Sequence, residues 1–146
     1  MDLIRHKARV LAFQKIYSID INCRARDNIY DIFGLEDHGI DLEEELKLFY
    51  SFLVNGTCDN LESIDKLISD ISFNWRLDRM DKVDLAILRM SVYSLKFQDL
   101  EEVPRRFIID EAILIAKKYG SKNSYKFING ILDALLKKME NYFESK

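Results

Sequence analysis

The chain is poor in the residues that build metal, disulfide and nucleophile chemistry. Its two cysteines, Cys23 and Cys58, stand alone, without a CxxC and without a nearby histidine pair. That spacing excludes a zinc site or a disulfide framework, and reduced cytoplasmic thiols are expected. Of the two histidines, His38 has no second His or Cys within ligand distance in sequence, so it reads as a loop residue. There is no GxSxG, Walker loop, GxGxxG or HExxH. No catalytic constellation, metal or cofactor is therefore expected, and the chain reads as a non-enzyme. The start, Met1-Asp2-Leu3-Ile4-Arg5, lacks the apolar run of a signal peptide, and no stretch is long and uncharged enough to span a bilayer. Breakers are scarce as well, with one proline and five glycines in 146 residues.

What is present is helical periodicity. The segment Met80–Phe97 is apolar on nearly every side and holds neither Pro nor Gly. A helix of that kind has to be surrounded by others. Asp78 or Asp81 is placed to cap it, and Arg89, which interrupts the apolar surface, needs an edge or an acidic partner. Around it, Leu3 to Ile19 carries Ile4, Ala8, Leu11, Ala12, Ile16 and Ile19 on one face. Arg24 to Phe33 reads as a short helix. Asp41 opens another, with Glu43, Glu44 and Glu45 suited to its positive end, and Asn55-Gly56 reads as its stop. Leu61, Ile64, Leu67, Ile68 and Ile71 make a further stripe. Trp75, in the connection that follows, reads as a partly buried packing residue. Pro104 fits a first helical position, and Gly120 fits the end of that helix. The last helix has the stripe Phe127, Ile128, Ile131, Leu132, Leu135, Leu136 and Met139. Gly130 inside it suggests close approach by another backbone. About seven helices and no strand result. The expected fold is all-α: one domain over residues 1–146, with subdomains at 1–75 and 76–146 open, built as two small bundles around the central helix.

The net charge of −3 conceals a segregation. Residues 1–26 hold six Lys/Arg against two acids, whereas residues 27–70 hold two against twelve. A basic N-terminal segment on an acidic chain can still bind a polyanion, because the local field governs binding. On spacing alone, Arg5, His6, Lys7 and Arg9 form either a solvated cationic face or a phosphate-binding one.

Two stretches carry a resemblance to a known family. One runs from Trp75-Arg76-Leu77-Asp78 through Val83-Asp84-Leu85-Ala86-Ile87-Leu88-Arg89. The other includes Val103-Pro104, Ile109-Asp110-Glu111-Ala112, Ala116-Lys117 and Lys126-Phe127-Ile128-Asn129-Gly130-Ile131-Leu132-Asp133. Arg5, Ala8-Arg9, Ala12, Gln14 and Tyr17 match at the N-terminus. Together they resemble the NusB family of bacterial transcription antitermination factors over nearly the whole chain. The resemblance implies two adjoining helical bundles. It also implies binding of a single-stranded boxA-type RNA of ribosomal RNA transcripts, together with the ribosomal protein NusE, on an RNA polymerase elongation complex. With no catalytic domain following the last motif, the free-standing factor is expected rather than the related domain fused to a ribosomal RNA methyltransferase. A methyltransferase-targeting subunit, a helical adaptor and a homodimer stay open as alternatives.

Carried over by position, Arg5, His6, Lys7 and Arg9 match the family's RNA-binding segment. Lys122, Asn123, Lys126 and Phe127 match or adjoin its RNA contact at the last helix. Tyr17, Asp78 and Asp84 match positions facing NusE; core packing for the tyrosine and helix-start stabilisation for the aspartates are the competing uses. Phe127 is either a base-stacking ring or a core residue. Val10, Ser94, Asp110 and Asn123 depart from the usual pattern. Asn123 removes an acid beside Lys122 and Lys126, which favours RNA.

Overall fold

The computed structural model describes residues 3–22, 44–72, 76–98 and 103–144. Among these the chain forms α1 (Leu3–Asn22), α2 (Glu44–Asp59), α3 (Leu61–Ser72), α4 (Lys82–Phe97), α5 (Arg105–Tyr119) and α6 (Ser124–Glu144), with a 3₁₀ turn at Leu77–Arg79 before α4. No strand occurs among the described residues. The expected helix at Arg24–Phe33, the helix start at Asp41, and Cys23, His38 and Trp75 lie outside them.

The central helix is α4. From Asp84 to Leu95 every residue except Arg89 is buried. It touches α1, α2, α3, α5 and α6, with α1 against α2 on one side and α5 against α6 on the other. Its start is fixed by Asp81, whose carboxylate accepts from the backbone N–H of Val83 (2.9 Å) and Asp84 (3.2 Å). This satisfies two of the donors a helix start leaves open. The helix is shorter than the apolar run suggests. Met80 is buried but sits in the turn before α4, and Phe97 at its end is 48% exposed. Arg89 finds the acidic partner its position demanded. Its Nε and one terminal nitrogen donate to the two oxygens of Asp65 on α3 at 2.8 and 2.9 Å, and Asp20 on α1 lies 3.5 Å away.

Two glycines behave differently from expectation. Asn55-Gly56 does not stop α2, which continues to Asp59. Gly56 instead faces α4, where a Cβ would stand 1.9 Å from Cζ of Tyr93. The missing side chain serves this contact and not a turn. Asn60 closes α2, with its backbone N–H (3.1 Å) and Nδ2 (2.8 Å) both donating to the Gly56 carbonyl. Gly130 has nothing within 4 Å of its would-be Cβ and is exposed, so no backbone approaches it. Pro104 is the residue before α5 rather than its first residue.

Among the described residues no helix is long and apolar enough to cross a membrane.

Candidate nucleic-acid interface

The first turns of α1 carry four of the expected contacts, and the structure divides them. Lys7 is exposed and Arg5 half-buried, its guanidinium carbon 4.9 Å from the centre of the Phe49 ring on α2. Arg9 is only 4% exposed. Its Nη1 lies 3.2 Å from Oε1 of Glu111, and its guanidinium sits 5.1 Å from the Phe49 ring and 5.3 Å from the Phe107 ring. His6 Nδ1 lies 2.6 Å from the other oxygen, Oε2, of the same carboxylate. Glu111, on α5, is 2% exposed. One buried acid therefore holds two of the four N-terminal groups, and of the four only Lys7 is exposed. Sequence reading missed Glu111, although a signal was present. It lies three residues after Ile108 and four before Ile115, on the apolar face of its helix.

The second cluster lies where α5 turns into α6. Gly120 is extended (φ −88°), and its N–H donates to the Ala116 carbonyl at 2.9 Å. A Cβ there would fall 2.6 Å from Cβ of Ser124. The absent side chain lets Ser124 fold back, where its Oγ accepts from the Ser121 backbone N–H at 2.9 Å and lies 3.0 Å from Ser121 Oγ. This tight turn presents Lys122, Asn123 and Lys126, all exposed. Phe127 is half-buried, with part of its ring against the core. The first turn of α6 contains no acid. A lysine near the positive end of a helix dipole does not stabilise that helix, so Lys126 is not explained by helix electrostatics.

The first cluster meets α5 at Glu111, and the second follows the end of α5. Arg9 and His6 meet it at Glu111, and Phe13 meets it at Tyr119 with ring centres 5.5 Å apart. α1 and α5 thus meet in the same order along the two helices.

The three expected partner-facing residues lie in the last turns of α1, in the turn before α4 and in the first turn of α4. Asp20 lies 3.6 Å from Lys82, which brings the end of α1 to the start of α4. Tyr17 is half-buried there. Asp78 is exposed and pairs with Arg76 at 3.0 Å. Asp84 is 7% exposed. Burial pushes its carboxyl above the usual range, a hydrogen bond from Ser124 opposes that shift, and the Asp81 charge adds to it. Of the departures from the family pattern, Ser94 is buried and offers no surface, and Asp110 pairs with Arg106 at 3.5 Å. Val10 is half-buried on the core.

The model of the NusB family matches residues 6–137. This chain belongs to the NusB family. The transcription antitermination protein NusB of Borrelia garinii is 73% identical over 142 residues, covering 97% of this chain and 99% of its own. The NusB of T. maritima, a solved structure, is 35% identical and superposes with a TM-score of 0.79 over 91% of this chain and 90% of its own. A crystal structure of antitermination factors NusB and NusE in complex with double-stranded RNA contains a chain 25% identical to this one. It superposes with a TM-score of 0.82 over 94% of this chain and 99% of its own.

Proposed function

We propose that the chain is an RNA-binding transcription antitermination factor of the cytoplasm. It holds a boxA-type single strand of ribosomal RNA transcripts together with a NusE-type ribosomal protein, and the pair joins the elongating RNA polymerase to suppress premature termination. The observation that carries this reading is the likeness across 94% of the chain to a NusB seen with NusE and double-stranded RNA. The factor acts by binding and not by catalysis.

In this reading Arg5 and Lys7 meet phosphates at the start of α1, and Lys122 and Lys126 meet them at the start of α6. Asn123 offers an uncharged amide between those lysines. Phe127 presents the outer part of its ring to an unpaired base, while its inner part holds α6 to the core. His6 and Arg9 act chiefly through Glu111, fixing the angle at which α1 offers Arg5 and Lys7. Tyr17, Asp78 and Asp84 form the face for the ribosomal protein, where acids suit a basic partner. A single strand is favoured because a stacking ring needs a base free of its own pair.

Phe127→Leu tests the stacking role, since leucine keeps apolar bulk against the core and removes the aromatic face. Affinity for a boxA-type single strand is expected to fall by ~1–3 kcal/mol, with melting temperature nearly unchanged. Parental affinity in a well-folded variant would remove Phe127 from the interface. Tighter binding to a duplex of the same sequence than to the single strand would overturn the single-strand reading.

A further inference from the structure

Residues 112–132 contain four lysines and no acid, in a chain whose net charge is −3. The fold brings all four to one junction. Lys117 and Lys118 lie in the last turn of α5, Lys122 in the turn, and Lys126 in the first turns of α6. All are exposed, and none forms an ion pair with a described residue. Elsewhere cations are commonly paired, as with Lys66 to Asp70, Arg76 to Asp78, Lys82 to Asp20, and Arg106 to Asp110 and Asp133. The end of the α5 dipole accounts for Lys117 and Lys118 but not for Lys122 or Lys126.

Two half-buried rings stand among these lysines. Lys117 Nζ is 5.1 Å and Lys126 Nζ 5.9 Å from the centre of the Tyr125 ring, and Lys118 Nζ is 5.5 Å from the centre of Tyr119. Successive residues of a helix are about 100° apart. Lys126 therefore sits between Tyr125 and Phe127, which face different sides of α6. A nucleotide presents a flat apolar face and a phosphate together, and a ring flanked by ammonium groups matches both.

We propose that Tyr125 is a second base-stacking platform for single-stranded RNA, with Lys117 and Lys118 holding the adjoining phosphates. The strand then continues from Phe127 past Lys126 and Lys122, round the start of α6, and onto the end of α5. This rests on the RNA-binding reading above and lengthens the strand the protein holds.

Fluorescence anisotropy with a labelled boxA-type single strand, extended by several nucleotides at each end and titrated over a range of salt, tests it. Lys117→Gln with Lys118→Gln is expected to lower the slope of log K against log salt by about 1.4, for two single-strand phosphate contacts. Tyr125→Leu keeps apolar bulk and should weaken binding about fivefold or more, whereas Tyr125→Phe should bind like the parent. Lys137→Gln with Lys138→Gln, on exposed lysines far along α6, should leave the slope unchanged. Circular dichroism and melting confirm that each variant is folded. If the Lys117/Lys118 and Tyr125→Leu variants match the parent while Phe127→Leu loses affinity, the extension is wrong and the RNA-binding reading survives. If Phe127→Leu and an Arg5/Lys7 double variant also match the parent, both fall. A lysine variant that loses the ribosomal protein but keeps RNA would assign the junction to protein and overturn the proposal.

Discussion

Removing the Glu111 carboxylate leaves the Arg9 guanidinium buried between Phe49 and Phe107 without the charge that now opposes it. Breaking such a buried pair from one side costs about 3–5 kcal/mol, so Glu111→Ala should lower stability by that order in denaturant titration. A loss of a few tenths would mean that the pair is not buried in solution. Asp84 has the opposite sign. Its folded carboxyl titrates above its unfolded value, so between the two the native state binds the extra proton and stability falls as pH rises. Asp84→Asn should therefore melt higher than the parent at neutral pH, with the gap closing as pH falls through the raised value toward the ordinary carboxylate range. The same variant should bind the NusE-type partner less tightly if the charge is kept for a basic surface. Equal melting curves at all pH values would show that Asp84 is solvated. At this scale the sequence was only partly legible. The motif around Phe127 located a ring and its cations, because their spacing is local. The burial of Arg9 was not legible, because it depends on which α5 residue faces α1.

At the scale of elements, the two glycines within helices make opposite expectations. Gly130 is exposed, with open space around its would-be Cβ, so Gly130→Ala should stabilise by ~0.5–1 kcal/mol through helix propensity. Gly56→Ala should destabilise, because Tyr93 must move while its ring is held by Phe52 and Phe97, whose centres lie 5.1 and 5.0 Å away. Thermal melts of the two variants should shift in opposite directions, and a stabilised Gly56→Ala would mean that Tyr93 has room. The helices themselves were readable from period and caps. Apolar residues all round required α4 to be central, and Asp81 stood where a cap was needed. Asn55-Gly56 misled because a stop signal and a close approach both call for glycine, and only the neighbouring helix decides between them.

At the scale of the whole molecule, the charge pattern and the architecture meet. An acidic chain leaves Lys7 exposed at the start of α1 and four lysines exposed at the α5–α6 junction. In the face proposed for the protein partner, Asp20 at the end of α1 meets Lys82 at the start of α4, and Asp84 hydrogen-bonds Ser124 at the start of α6. The two proposed ligand sites use different residues of one core and meet at the Asp84–Ser124 contact. RNA affinity should fall steeply with salt through the cationic clusters, and the partner should add affinity without adding to the cations of this chain. The most direct test is a titration of labelled boxA-type single-stranded RNA with this protein, alone and with the purified NusE-type ribosomal protein, against a scrambled strand. The expected result is specific binding that tightens when the partner is present and weakens when Phe127 is replaced by Leu. Binding that is equal for both strands and indifferent to the partner would contradict a role in antitermination.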